Sequence, residues 1–245
     1  MKISQGQEND ELPIHVMPTI KNDHEIVISP LLPLINGATV FSGQTRSGKT
    51  NTMVDLLVLK DKMFGIFDYI FLWCPTYDPK GAWGNLGLPS NFIFKKYTDG
   101  SLSAVLKMID TMVEVNPSLH FLLIFDDCLS ENMMSASGND VINELFTAGR
   151  HRNKTGWFGI QKFSRTNQTG RVNAMDFVIF PPANRIELKA IYSEVGDSMS
   201  FEGFQKLMLR VREQPYRFLH VRRNPQGGLT FTINWSIPVD QKEFS

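Results

Sequence analysis

The feature that most constrains this chain is a phosphate-loop motif, G-x-x-x-x-G-K-[ST], near its amino terminus. Its residues are Gly43, Gln44, Thr45, Arg46, Ser47, Gly48, Lys49 and Thr50. In such a loop the glycines let backbone N–H groups turn towards a phosphate, the lysine reaches the β- and γ-phosphates, and the last hydroxyl coordinates Mg²⁺. The motif therefore predicts that all of these residues bind the phosphates of ATP, with Mg²⁺ as the accompanying ion.

The segments on either side of the motif have the order that a phosphate loop requires. Residues 38–41 form a short β-prone run that follows the turn pair Asn36-Gly37. Residues 51–60 carry apolar side chains at helical spacing. This order of strand, loop and helix supports the phosphate-loop prediction.

Length and composition limit the class of protein. A chain of 245 residues fits one large α/β domain with a sizeable core, and its formal net charge of zero argues against a uniformly basic nucleic-acid binder. Cys74 and Cys128 lie in apolar runs without a CxxC pair, which predicts reduced thiols in a reducing compartment. No apolar run approaches the length of a membrane span and the first residues do not form a signal peptide, so we expect a soluble, intracellular protein.

Apolar runs and helical stripes alternate along the chain. Strands are predicted at 69–73, 121–125, 156–160 and 177–180, with an edge strand at 25–28. Helices are predicted at 102–115, 141–148, 186–192 and 201–211, and a hairpin at 217–221 and 229–235. The pattern predicts an α/β fold, a RecA-like P-loop NTPase with a mostly parallel central sheet flanked by helices and a C-terminal β-hairpin. The predicted divisions are an arm at 1–30, the ATPase domain at 31–215, and the hairpin and tail at 216–245.

A pair of acids, Asp126 and Asp127, follows the buried strand at 121–125 and matches a Walker B element. The first acid is expected to hold Mg²⁺ together with Thr50, and the second to polarise the attacking water. Many ATPases of this type have glutamate at the second position. Because aspartate is one methylene shorter, Asp127 must sit closer to the water or act through another one.

Three polar residues beyond the acids complete the predicted site. Arg150 and Arg152 follow a helix that Gly149 is expected to end, and either could reach the γ-phosphate of a neighbouring subunit. Gln161, just after a strand, is positioned to sense the γ-phosphate or the lytic water. The alternative for the two arginines is that they only neutralise the C-terminus of the helix. The alternative for Gln161 is that it is an ordinary polar residue at the end of a strand.

These motifs together resemble a known family. The phosphate loop, the Asp126-Asp127-Cys128-Leu129 segment, residues 146–153 with the sequence FTAGRHRN, and the strand that ends at Gln161 are similar to the genome-packaging ATPases of poxviruses, giant viruses and virophages. This family belongs to the FtsK/HerA superfamily of P-loop motors, and the similarity covers residues 36–182. The resemblance implies a homo-oligomeric ring at a viral capsid vertex that drives double-stranded DNA into the capsid. It also implies a location in the virus factory of the host cytoplasm; whether the protein stays in the virion is left open.

The resemblance gives a function to a basic stretch. Residues 145–175 contain six Lys or Arg residues and no Asp or Glu. On sequence alone such a stretch is usually a solvated face. In a ring, the loop at 162–171 could line the channel and bind DNA phosphates of any sequence through Lys162, Arg165 and Arg171.

Two other functions compete with the motor. A nucleotide or nucleoside kinase also begins with a strand, a phosphate loop and a helix. A structural capsid-vertex protein that only binds nucleotide is the non-enzymatic alternative. The paired acids favour a water-activating motor over the kinase, and the intact Lys49, Thr50 and Asp126 argue against a protein that only binds nucleotide.

Overall fold

A computed structural model describes residues 29–128, 140–148, 153–166, 168–196 and 199–244. Their centre is one nine-stranded sheet with the strand order β3-β2-β4-β5-β1-β6-β7-β8-β9. The strands are β1 Ala38–Ser42, β2 Tyr69–Trp73, β3 Ile93–Phe94, β4 Phe121–Asp126, β5 Lys154–Ile160, β6 Asp176–Ile179, β7 Leu219–Arg223, β8 Leu229–Ile233 and β9 Ile237–Pro238.

Strands β1 to β6 pair in parallel, whereas β7, β8 and β9 add to the β6 edge as antiparallel strands. The mostly parallel sheet and the C-terminal hairpin predicted from the sequence are therefore confirmed. The hairpin strands β7 and β8 continue the central sheet, because β7 pairs directly with β6. The proposed division of the chain at residue 215 stays a prediction.

Six helices connect the described strands. They are α1 Lys49–Val58, α2 Asp99–Val115, α3 Asp140–Ala148, α4 Gln168–Asn173, α5 Arg185–Val195 and α6 Phe201–Arg212. Side chains of α2, α3, α5 and α6 belong to the hydrophobic core on one face of the sheet, and those of α1 belong to the core on the other face. The result is a three-layer α/β arrangement.

The continuous apolar runs become strands because both faces of the sheet are covered. In β1, Val40 lies in the core beneath α2 and α5, and its neighbour Phe41 lies in the core beneath α1. The same alternation places Phe71 and Leu72 of β2 on opposite faces. Alternate side chains of one strand therefore contribute to two separate cores.

The structure differs from the sequence predictions mainly at element ends and in short elements. Helix α2 begins three residues earlier than expected, because Thr98 caps it in a reciprocal capping box with Ser101. The segment at 162–171, expected to be a loop, contains a 3₁₀ turn at Phe163–Arg165 and the start of α4. The predicted edge strand at 25–28 and the predicted capping residue Gly149 lie outside the described residues.

Both cysteines are free thiols, and burial raises the pKa of Cys74 and of Cys128. Within the described ranges, no helix is both long enough and apolar enough to cross a membrane.

Candidate nucleotide site

The phosphate loop connects β1 to α1 at the carboxyl end of the parallel strands. The junction of β1 and the loop is tied to both neighbouring strands. The N–H of Gly43 donates to the carbonyl of Ile160 over 3.1 Å, and the N–H of Phe180 donates to the carbonyl of Ser42, the last residue of β1, over 2.9 Å. Gly48, just before the helix, has a φ of 106° that only glycine adopts without strain. The local sequence therefore forms the tight turn that opens an anion site at a helix N-terminus.

Lys49 is buried, with only 4% of its surface exposed. Its Nζ donates to the carbonyl oxygens of Gly43 and Gln44 over 2.8 and 3.2 Å, which ties the loop back on itself. Burial lowers the pKa of Lys49, and the nearby carboxylates of Asp127 and Asp126 oppose that effect. A bound phosphate would act in the same direction as these carboxylates and favour the charged ammonium.

Asp126 meets the phosphate loop directly. Its Oδ2 accepts hydrogen bonds from the Thr50 hydroxyl and from the Trp83 indole N–H, each over 2.8 Å. Burial raises the pKa of Asp126, and the bonds from Trp83 and Thr50 oppose that rise. The predicted metal pair of Thr50 and Asp126 is thus assembled across 76 positions of sequence.

The second oxygen of the Asp126 carboxylate indicates whether the site fits a metal ion. Oδ1 is buried and has no hydrogen-bond partner among the described residues. A Cβ added at Gly159 of β5 would lie 2.9 Å from this oxygen and 3.1 Å from Met53 Cε, so a side chain at this position would crowd the carboxylate. Because Mg²⁺ prefers oxygen ligands and usually takes one or two carboxylates plus substrate phosphates, a carboxylate with one unsatisfied oxygen, whose other oxygen accepts from the Thr50 hydroxyl, fits that ion.

Trp83 is the site residue that sequence reasoning missed. It lies in a 3₁₀ turn at Ala82–Leu86, within a segment rich in Gly, Pro and Asp that predicts only a loop. The side chain is 4% exposed and packs in the core beneath α1. A large aromatic residue inside a polar loop was the signal that could have found it, because a buried indole N–H requires a hydrogen-bond acceptor.

Asp127 directly follows β4 and has a left-handed φ of 51°, which is uncommon for a residue other than glycine. This backbone turns its side chain towards the phosphate loop, where Oδ1 lies 3.9 Å from Lys49 Nζ. The carboxylate is 27% exposed, whereas that of Asp126 is buried. Of the two acids, Asp127 is the one that solvent reaches.

Two of the cavities that adjoin the loop contain predicted site residues. One, of about 340 Å³, lies over residues 46–51 and reaches Asp127 and Tyr216, so it covers the expected phosphate position. The other, also about 340 Å³, lies beside Gly43 and includes Gln161 and Lys162. Gln161 follows β5, the strand between β1 and β4, and this position places it at the same edge of the sheet as both nucleotide motifs.

The structure describes only part of the predicted basic set. Arg150 and Arg152 lie outside the described residues, and of Arg165 only the backbone position in a 3₁₀ turn is described. Arg171 lies on α4, with its Nε 3.6 Å from a carboxylate oxygen of Glu194. The described geometry thus gives Arg171 a carboxylate partner within the fold, and the assignments of all four residues stay predictions.

The parallel sheet, the loop between β1 and α1, and the acids at the end of β4 define a P-loop NTPase fold. The family model for the Poxvirus A32 protein matches residues 36–213, which is most of the chain, and the chain belongs to this family. The family resemblance seen in the sequence is therefore confirmed. A comparison with curated proteins gives no match.

Solved structures share the fold. The genome packaging NTPase B204 from Sulfolobus turreted icosahedral virus 2, in complex with ATP-gammaS, aligns with a TM-score of 0.56 and 16% identity over 82% of this chain and 98% of that one. B204 from Sulfolobus turreted icosahedral virus, described as a DNA-packaging ATPase, aligns with a TM-score of 0.55 and 18% identity over 81% and 97%. At this identity the likeness concerns the fold.

Proposed function

We propose that this protein is an ATP-hydrolysing motor that moves double-stranded DNA into a viral capsid. The observation that carries the proposal is the junction of the two nucleotide motifs, where the Thr50 hydroxyl donates to Asp126 and Lys49 lies near Asp127. Membership of the Poxvirus A32 protein family and the fold shared with B204, a genome packaging NTPase whose structure is known in complex with ATP-gammaS, support it. The setting is a homo-oligomeric ring at a capsid vertex in the host cytoplasm.

Thr50 and Asp126 would hold Mg²⁺ through the hydroxyl oxygen and the carboxylate. When bound, the ion neutralises phosphate charge and helps to orient the γ-phosphoryl group. Trp83 keeps the Asp126 carboxylate in place by its bond to Oδ2. The protein's contribution is therefore a preset pair of oxygen ligands.

Lys49 and Asp127 carry the remaining chemistry. Lys49, fixed by two loop carbonyls, provides a positive charge at the β- and γ-phosphates. Asp127 is the acid that solvent reaches, so it is the better placed of the two to orient a water and accept its proton. Gln161 borders the neighbouring cavity and is the proposed sensor of the γ-phosphate.

The site is proposed to be completed by Arg150 or Arg152 of a neighbouring subunit. The open cavity beside Gly43 and Gln161 offers space for a side chain that enters from outside. A trans arginine typically contributes about 10³-fold or more to the rate. An Arg150→Ala, Arg152→Ala protein mixed with a Lys49→Ala protein should then regain activity, because some interfaces join an intact loop to an intact arginine. No recovery in rings shown to be mixed would reject the shared site.

DNA binding is proposed for Lys162, Arg165 and Arg171. Removal of one phosphate-binding side chain should reduce the slope of log affinity against log salt by about 0.9. Because Arg171 lies close to Glu194, Arg171→Ala alone should reduce this slope by less than about 0.9. Equal slopes in the wild type and the triple alanine variant would show that these residues form an ordinary solvated face.

The deciding experiment measures ATP turnover with and without double-stranded DNA. The motor is expected to release phosphate faster when DNA is present. Transfer of the γ-phosphoryl group to a nucleoside or nucleotide would indicate the kinase instead. Binding of ATP without turnover, in verified rings and with DNA present, would indicate a component that only binds nucleotide.

A further inference from the structure

A third cavity, of about 370 Å³, continues from the cavity over the phosphate loop. The two share Gly48, Asn51 and Tyr216, so a single ligand could extend from one into the other. The third cavity lies between the first turns of α1 and the start of the C-terminal hairpin. No step of the proposed hydrolysis uses it.

Tyr216 forms the boundary between these two cavities. Its side chain is 70% exposed although it is large and aromatic. Its ring lies against the phosphate loop, because a Cβ added at Gly48 would be 3.3 Å from Tyr216 Cδ1. Its φ of 63° is costly for an aromatic residue, and an unfavourable backbone of this kind is often retained at a ligand site.

The rest of the cavity is built from the hairpin. Phe218 and Trp235 are buried and pack with ring centroids 4.7 Å apart. Asn234 and Trp235 also have left-handed φ values, of 53° and 63°. The carbonyl oxygen of the Asn234 side chain accepts from the Phe218 N–H over 3.1 Å, which fixes the amide group at the cavity. The hairpin thus holds this wall rigidly.

The phosphate loop sets the direction of a bound nucleotide. Lys49 and Asp127 mark the γ-phosphate end, since the lysine of such a loop reaches the β- and γ-phosphates. The α-phosphate, which carries the ribose and base, then lies at the opposite end, towards Asn51 and Thr52. The third cavity is lined by both of these residues.

We infer that the third cavity binds the base of a purine nucleoside triphosphate and that the Tyr216 ring stacks on this base. The inference rests on the proposed function, because it assumes that the phosphates occupy the loop. Aromatic rings bind bases by stacking, and a purine offers a larger face than a pyrimidine. Asp55 and Asn234, which also line the cavity, supply a carboxylate and an amide for the polar edge of the base.

The test measures, by calorimetry, the affinity of the full-length protein and of three variants for ATP, GTP, CTP, UTP and inorganic tripolyphosphate. Tyr216→Ala should weaken ATP binding by about 5- to 150-fold, the usual range for loss of one base stack. Tyr216→Phe keeps the ring and should bind ATP as the wild type does. The matched control is Phe64→Ala, which removes an aromatic ring that is 54% exposed and lines none of the three cavities.

Tripolyphosphate carries phosphates without a base, so it distinguishes contacts to the base from contacts to the phosphates. If Tyr216 contacts the base, Tyr216→Ala should bind tripolyphosphate like the wild type and should lose the preference for purine over pyrimidine triphosphates. Unchanged ATP affinity, or equal weakening of ATP and tripolyphosphate, would overturn the inference and leave the proposed function standing. A wild-type protein that binds neither compound would instead remove the proposed function itself.

A second measurement does not depend on a folded variant. Photolabelling of the wild-type protein with 8-azido-ATP attaches the base to whatever lies beside it. The inference expects labelled peptides from the walls of the third cavity, residues 51–55, 216–218 or 234–235, with competition by ATP. Competed labelling that falls only on other segments would overturn it.

Discussion

Trp83→Phe tests whether the indole N–H positions Asp126. The substitution keeps an aromatic ring in the core and removes the 2.8 Å hydrogen bond to Oδ2. A hydrogen bond to a charged group contributes about 1.5–3 kcal/mol, and this carboxylate is 3% exposed, so water cannot readily replace the donor. At about 2–4 °C per kcal/mol for a chain of this size, removal of the bond should lower Tm by about 3–12 °C.

Trp157→Phe is the matched control. Trp157 is also fully buried in the core beneath α1, but its indole N–H has no hydrogen-bond partner among the described residues. Both substitutions shrink a buried ring, and only Trp83→Phe removes a bond to Asp126. Trp83→Phe should therefore lose more unfolding free energy than Trp157→Phe, measured by urea denaturation.

The pH dependence gives a second readout. Burial raises the pKa of Asp126 above its ordinary 3.8, and the Trp83 bond opposes that rise, so Trp83→Phe should raise the pKa further. The loss of the Trp83 hydrogen bond then destabilises the folded state more when Asp126 is ionised than when it is protonated. The stability deficit of the variant should grow as pH rises above 3.8, and the acid limb of its ATPase profile should shift to higher pH.

Equal stability losses in the two variants, together with an unshifted acid limb for Trp83→Phe, would refute this reasoning. That outcome would make Trp83 a packing residue only. A shifted acid limb is the result that packing alone does not produce, because Trp157→Phe leaves the donors to Asp126 intact.

Three further changes test the phosphate and water sites. Lys49→Ala should abolish hydrolysis, since the phosphates lose the lysine charge of the loop, and near-normal phosphate release would reject the loop assignment. Asp127→Asn should bind ATP but hydrolyse it slowly because an amide cannot accept the proton; slow hydrolysis in Asp126→Asn with fast hydrolysis in Asp127→Asn would reverse the roles of the two acids. Gly159→Ala places a Cβ 2.9 Å from Asp126 Oδ1 and 3.3 Å from a backbone carbonyl. The variant should lose about 1–3 kcal/mol of unfolding free energy, measured by urea denaturation, and should have a lower kcat. A fully active, stable variant would show that the absence of a side chain beside Asp126 Oδ1 is not needed.

The element predictions succeeded where the chain buries both faces of a strand. The run at 69–73 coincides with β2, because a strand covered on both sides must be apolar at every position. Helix α4 was missed because six residues that include Gly170 are too few to show a helical period. Strand β3 has only two residues at the sheet edge and left no pattern to read.

Family membership and the fold predicted from the motifs are confirmed, whereas the roles of individual site residues stay predictions. The sequence could place Asp126 at the end of a buried strand, since that requires only the strand's own residues. It could not show that Trp83 reaches the same carboxylate, because the loop around Trp83 has no periodic pattern. Nor could it place Tyr216 beside Gly48.

The sequence by itself determined the phosphate loop, because its eight residues are contiguous and include the glycines, the lysine and the hydroxyl that such an anion site requires. The tertiary structure alone decided what surrounds that loop. Parallel pairing of β4 with β5 and of β5 with β1 brings Asp126 and Gln161 to the edge where the loop lies. The antiparallel hairpin returns along β6 and delivers Tyr216 to Gly48. The physical reason is that side chains far apart in sequence meet only after the sheet has fixed the order and register of its strands.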